Sequence, residues 1–341
     1  MPADGVLPDG FFATTNLPTY VRLGGRWLRP REPRMDGVIV LEPDGGLVVR
    51  EPRRLVRGAR VALGEAEDGS EGIYVDAAGF MGSGHSGNEF RFMSAPVSRE
   101  RPVDYDQLAR TLGEERARGG YIVWVPGPAL VHARAREDLV WFIARGYVQA
   151  LLGGNALAVH DLEAALFGTA LGVTDQGEAA DHGHSLHLRA INQVRRAGSI
   201  EAMVNSGAVR SGVMHALVTH RVPYVLAGSI RDDGPLPGVL SDAAQAQDAM
   251  REHTARATCA VMVASALHAI AVGNMLPAFV DEGVQGVRPL PTICVDQTEF
   301  VVSKLKDRGT HQAFGVVTNA QDFMAVLRLH VERWEAGRAS R

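Results

Sequence analysis

Six short runs between residues 121 and 317 are apolar almost throughout: 121–125, 148–152, 223–227, 259–263, 292–295 and 314–317. At four or five residues each they are too short for helices. They also lack the alternation of a strand with one wet face, so they predict strands covered on both sides. The segments between them carry helical periodicity, as in "AREDLVWFIARG", "HLRAINQVRRAG" and "EFVVSKLKDRG". Buried strands alternating with helices specify an α/β fold, a Rossmann-like doubly wound parallel sheet. The first hundred residues are patterned differently. Short β-like arms flank Gly24-Gly25 and "PDGG", and "GARVALG" adds another, which predicts a small barrel-like β domain. A Gly-rich connection follows from about residue 78, and "PVDYDQLA" resembles a capped helix start. We therefore divide the chain at 1–103, a β-rich domain, and 104–341, a Rossmann-like NAD-binding catalytic domain.

Composition narrows the partners. With 46% hydrophobic and 22% charged residues the chain is globular rather than disordered. A net charge of −4, without a basic cluster interleaved with aromatics, argues against a nucleic-acid partner. Cys259 and Cys294 lie inside apolar runs and read as small core residues of a reducing compartment. The stretch 258–280 has no Asp, Glu, Lys or Arg and is long enough to span a bilayer. His268, Gly273, Asn274 and Pro277 interrupt it, however, and a strand, loop and helix explain it better. The N-terminus lacks the regions of a signal peptide. The expectation is a cytoplasmic protein with no membrane partner.

Ligands of doubly wound sheets bind beyond the carboxyl ends of the strands, so the residues following each run matter most. They are the Gly127-Pro128 turn, Gly153-Gly154-Asn155, "AGSIRDDGPLPGVLSD" (227–242), Ser265 to His268, and Asp296. In the third, Pro235 and Pro237 exclude helix and central strand and stiffen a loop that carries Arg231, Asp232 and Asp233. A solvated turn ending in a helix cap at Asp242 would also explain it. Asp296 follows the second strand of a strand–helix–strand unit, where an acid accepts hydrogen bonds from the adenosine ribose. The following "QTEF" offers no cation for a 2′-phosphate, which favours NAD over NADP.

Two stretches compete for attention. "GSGHSG" (82–87) matches the dinucleotide fingerprint G-x-G-x-x-G, but "NEFRFMSAPVSRERP" after it has no helical period, so we reject it as a phosphate loop. His182, His184 and His187 have a spacing that zinc accepts. No cysteine lies nearby and Asp181 is the one neighbouring acid, so we assign no metal and read a His-rich helix start facing the ligand.

The motifs "GNALAVHDLEAALFGTALGV", "AGSIRDDGPLPGV", "LHAIAVGNMLP", "ICVD" and "DRGTHQAFGVVT" together resemble those of archaeal-type ornithine cyclodeaminases. These form the LOR/SDH conserved-domain family, which also supplies the C-terminal part of cyanobacterial arginine dihydrolase fusions. "LPDGFFATTNLPTYVRLGGRWL" and "FMSAPVSRERP" resemble the family's small β domain. The resemblance covers nearly the whole chain. It implies NAD binding and conversion of L-ornithine, or a close diamino acid, to L-proline and ammonia, through an imine and internal return of the hydride. The family usually carries about a hundred further residues ahead of the β domain. "GSGHSG" and "VDEGVQGVRPLP" look like local insertions, and Asn319 stands where an aspartate is expected.

The resemblance places nicotinamide or ribose contacts at Asn155 and Ala156. Asp232, Ser265, Ala266, Leu267, His268, Asp296 and Asp307 complete the expected cofactor set. Asp232 and Asp233 are the candidate proton-handling and amine-binding pair, since neighbouring carboxylates can have separated pKa values. Arg231 either holds the substrate carboxylate or locks the loop through one of those aspartates. The expected assembly is a homo-oligomer in amino-acid metabolism and proline biosynthesis. Two other classes stay open: an NAD-dependent amino-acid dehydrogenase or imine reductase, and a non-catalytic NAD-binding regulator.

Overall fold

A computed structural model describes residues 1–79, 103–174, 176–180, 183–232, 235–283, 286–299, 303 and 313–339. The chain forms two compact units. The first comprises Met1–Ser98, Gly273–Leu290 and Lys306–Gln312, and the second comprises the rest.

The first unit is antiparallel. Its strands β1 (Thr19–Leu23), β2 (Arg26–Leu28), β3 (Val38–Leu41), β4 (Leu47–Arg50), β5 (Arg60–Val61) and β6 (Ile73–Val75) form two three-stranded sheets, β2-β1-β6 and β4-β3-β5. The β1–β2 hairpin turns on Gly24 and Gly25, both at positive φ, as a tight two-residue turn between right-twisted strands requires. Phe12, Ile39, Val49 and Ile73 share its core. The segment "VDEGVQGVRPLP", which looks like an insertion in sequence, contributes a hairpin of Val280–Asp281 and Val287–Arg288 to this unit.

The second unit holds six parallel strands: β7 (Ile122–Pro126), β8 (Ala150–Gly154), β9 (Tyr224–Ala227), β10 (Cys259–Val263), β11 (Thr292–Asp296) and β12 (Ala313–Val317). Their order in the sheet is β9-β8-β7-β10-β11-β12, the 3-2-1-4-5-6 order of a doubly wound fold. The helices are α1 (Tyr105–Ala117), α2 (Ala129–His132), α3 (Arg136–Ala144), α4 (Asn155–Phe167), α5 (Leu186–Ala197), α6 (Ile200–Asn205), α7 (Val213–Thr219), α8 (Ala243–Thr254), α9 (Ala266–Met275) and α10 (Ala320–Ala339).

Local chemistry sets their ends. The Asp104 carboxylate accepts from Gln107 N–H at 2.9 Å to open α1, and Asp242 accepts from Gln245 N–H at 2.8 Å to open α8. Gly168, at φ +71°, closes α4 in the left-handed conformation that such a cap needs. Strands β7 and β10 are buried at every position, which is why their sequences do not alternate. Trp124, Phe142 and Tyr147 fill the core beneath them, and the indole N–H of Trp124 donates to the Tyr147 carbonyl at 2.8 Å. Asp161 is wholly buried but satisfied: it accepts from Arg136 and from the N–H groups of Val213 and Met214, which caps α7. Among the described residues, no helix is long and apolar enough to cross a membrane.

Candidate active site

The strand order reverses between β7 and β10, so the turns leaving these strands define the crevice where a ligand of this fold would sit. Those turns touch. Gly127 N–H donates to the Val263 carbonyl at 2.8 Å, and Ala264 N–H donates to Val295 at 2.9 Å. A Cβ on Gly127 would lie 1.7 Å from the Ala264 carbonyl oxygen, so only glycine fits there. Ala264 itself stands at φ +54°, a strained conformation for a residue with a side chain. It delivers the chain to buried Ser265 and the start of α9, where Ala266 and Leu267 are exposed.

His268 follows, partly buried. Its imidazole packs on the backbone of Gly154, where an added Cβ would meet Cε1 at 2.6 Å. Burial pushes this histidine's pKa down, and the charge of Asp232 pulls it partly back. The ends of β8 and β10 and the loop after β9 therefore act on one imidazole. Beside it, Asn155 opens α4 as a buried residue, and its Oδ1 accepts from Leu236 N–H at 3.1 Å. That bond anchors the proline-stiffened loop to the helix start. Ala156 follows, partly buried.

Within the loop, Asp232 folds back on its own turn. One carboxylate oxygen accepts from Ser229 N–H at 2.7 Å and the other from the Ser229 hydroxyl at 3.3 Å. Ser229 Oγ also accepts from Arg231 N–H at 3.1 Å, and the Arg231 side chain is exposed. At the end of β11, Asp296 Oδ1 accepts from both the N–H and the hydroxyl of Thr298 at 2.9 Å, and Oδ2 takes no hydrogen bond among the described residues. Cys294, two residues earlier, is buried, and its thiol is pushed up to about 12, first by burial and then by Asp296. Asn319 caps α10 by accepting from Asp322 N–H at 2.8 Å, and its amide donates to the Asp322 carboxylate at 2.6 Å. An aspartate could not make that second bond, which accounts for the asparagine.

Asp233, Asp307, His182 and the stretch 82–87 lie outside the described residues, as does the side chain of His184. His187 is partly buried on α5. Among the described residues, no group of three or more His, Cys, Asp and Glu could hold a metal ion.

Sequence reading missed a buried cluster on the helices that leave β7 and β8. His132, the last residue of α2, meets His160 of α4 edge-to-face at 4.5 Å, and His160 Nδ1 lies 3.6 Å from Glu163. Glu163 accepts from the Thr169 hydroxyl and Gly172 N–H at 2.9 and 2.8 Å. Burial raises its pKa, but His160 and these hydrogen bonds outweigh burial and hold it low. Burial, reinforced by His160, drops His132 to about 4 from 6.5. Its neutral form therefore contributes stability that is complete above pH 6.5 and lost as pH falls toward 4. Urea unfolding should show the protein less stable at pH 5 than at pH 7.5 from this group, by about 1 kcal/mol once solvent screening of a half-buried ring is allowed for. The His132→Gln variant should lack that increment; an unchanged pH dependence would refute the assignment.

Residues 18–105 and 106–327 match, in turn, the first region and the Rossmann-fold region of the C-terminal part of ArgZ-like arginine dihydrolases. The chain belongs to this family. Curated relatives include the ornithine cyclodeaminase of Methanopyrus kandleri, 44% identical over 346 residues, covering 97% of this chain and 77% of that protein. The crystal structure of the LOR/SDH protein from Methanococcus maripaludis S2 superposes with a TM-score of 0.86 at 38% identity, covering 98% of this chain and 97% of that one. AgrE, named a bifunctional arginine dihydrolase/ornithine cyclodeaminase in Nostoc, has been solved as a ternary complex with ornithine and NAD+. That structure matches with a TM-score of 0.64 at 39% identity, over 99% of this chain and 46% of AgrE.

Proposed function

We propose that this chain is an NAD-dependent ornithine cyclodeaminase, a cyclizing ammonia-lyase that converts L-ornithine, or a close diamino acid, to L-proline or a cyclic imino acid and ammonia. The observation that carries the reading is the packing of His268 on Gly154, within the field of Asp232 and beside the reversal of strand order, in a family whose member AgrE has been solved with ornithine and NAD+. The tight turn at Gly127, the strained Ala264 and buried Ser265 make a backbone cradle that fits a dinucleotide. Asn155, Ala156, Asp232, Ser265 to His268, Asp296 and Asp307 are the residues we assign to holding NAD. When bound, NAD supplies a hydride acceptor that is regenerated within each turnover.

The chain's own residues must bind a substrate with two ammonium groups and one carboxylate beside that cofactor, and move protons on its amines. Asp232 and Asp233 place negative charge in the loop that Asn155 anchors, and one of them accepts the proton released as an ammonium becomes a nucleophilic amine. His268, held neutral by burial and within the field of Asp232, is the second group we assign to accepting a proton from substrate. Arg231 is available for the substrate carboxylate. A cytoplasmic homo-oligomer working in proline biosynthesis is the setting we propose.

Incubation with NAD and a panel of diamino acids, followed by mass spectrometry and ammonia assay, tests the reading. Ammonia and cyclic product should form from ornithine with no net NADH. Steady NADH accumulation would assign a dehydrogenase instead. Asp296→Ala should weaken NAD binding by about 1–3 kcal/mol, the scale of charged hydrogen bonds to a ribose. Calorimetric titration showing equal affinity would move the ribose site elsewhere.

A further inference from the structure

An open cavity of about 750 Å³ lies against β9, the outer strand of the sheet, rather than at the strand ends. Its volume falls in the range of small-molecule sites. Two opposite charges line it, Glu201 at the start of α6 and Arg221 after α7, both exposed. Leu217, Val222, Pro223 and Pro237 give the remainder an apolar character.

Both charges are held at fixed places on the rim. The Tyr224 hydroxyl donates to Glu201. Burial pushes the Glu201 pKa up, but hydrogen bonds from Tyr224 and Ser199 bring it below the usual carboxylate value, so it is ionised at neutral pH. Arg221 makes no ion pair among the described residues; its φ of +54° is that of the residue closing α7, with its N–H on the Val218 carbonyl and the Val222 N–H on that of Leu217, so its backbone is fixed at the rim of the cavity. A carboxylate and an uncommitted guanidinium around one apolar hollow match the two ends of a zwitterion.

We propose that this cavity binds a free α-amino acid with a short apolar or cyclic side chain, its ammonium on Glu201 and its carboxylate on Arg221. Such a ligand acts as an effector of the strand-end site. The route is covalent and short. Pro237 and Gly238 line the cavity, and the preceding Leu236 is buried with its N–H bonded to Asn155 Oδ1. Leu240 then bonds Leu226 and Gly228, so both flanks of the segment are tied down. An amino acid pressing on Pro237 therefore biases the loop that carries Asp232. The binding claim stands alone, whereas the effector role rests on the proposed cyclodeaminase reading.

The test is calorimetry on the full chain saturated with NAD, using L-valine, L-leucine and L-proline as probes. At least one should bind, and Glu201→Gln and Arg221→Gln should each weaken it by tenfold or more while NAD affinity stays at the wild-type value. Arg221→Lys should restore part of the loss. The bound amino acid should change ammonia release from saturating ornithine in wild type and not in Glu201→Gln. No binding by any probe, or binding that survives both substitutions, overturns the site. Binding with no effect on ammonia release overturns the effector role. Absence of ammonia release under every condition would instead defeat the cyclodeaminase reading, and calorimetry would still decide the binding claim. Normal NAD affinity in each variant verifies that it has folded.

Discussion

Asp232→Asn should lower ammonia release from ornithine by roughly 10²-fold or more at saturating NAD, the usual scale for removing a general acid or base. The substitution separates chemistry from structure. In the native turn the carboxylate accepts from the N–H and hydroxyl of Ser229. An asparagine oxygen can keep the bond to the N–H while its amide donates to the hydroxyl, so the turn survives and the thermal midpoint should stay within error. The negative charge does not survive. Removing it takes away what raises His268 against burial, so any limb of the pH–rate profile that belongs to His268 should move to lower pH. Asp233→Asn serves as the parallel case. Full activity in both variants would sink the idea that this loop handles protons, and attention would pass to His160, His268 or the histidines near 184.

The sheet was the most legible part of this molecule. All six apolar runs became its strands, each end displaced by no more than two residues, because a strand covered on both faces leaves few positions for polar side chains. The largest displacement is instructive. β8 continues past its apolar run through Gly153 and Gly154, which pair with Leu226 and Ala227 of β9 and carry the strand to Asn155. The order of the strands was not legible, since nothing local to a strand identifies its neighbours. The hairpin at 280–288 was hidden for a related reason, as its place in the first unit depends on contacts made far away in sequence.

The strand-end residues could be named because the fold tells a reader where to look. Their contacts could not. The bond between Leu236 and Asn155 joins positions 81 apart, and the packing of His268 on Gly154 joins the start of α9 to the end of β8. The cluster of His132, His160 and Glu163 left only an i, i+3 pair in the sequence, which on a helix is commonplace. Ala264 left no sign at all, because left-handed backbone is normally betrayed by glycine or asparagine.

Two glycines at these strand ends should respond to alanine in different ways. At Gly127 the new methyl would meet backbone, 1.7 Å from the Ala264 oxygen and 2.6 Å from its carbonyl carbon. Neither atom can rotate away. Relief requires parting the ends of β7 and β10, with loss of the Gly127–Val263 hydrogen bond and strain on that between Ala264 and Val295. Gly127→Ala should therefore cost about 3 kcal/mol or more, the upper end of overpacking, and lower the thermal midpoint by about 6–12 °C. At Gly154 the methyl would meet the tip of the His268 imidazole, which can swing aside. Gly154→Ala should cost about 1 kcal/mol, the lower end of overpacking, yet lose tenfold or more in ammonia release as the imidazole leaves its seat. Thermal melts and turnover measured on both variants decide the matter. A Gly127→Ala protein with a native midpoint would mean that the two central turns do not touch. A fully active Gly154→Ala protein would mean that the position of His268 does not matter to the chemistry.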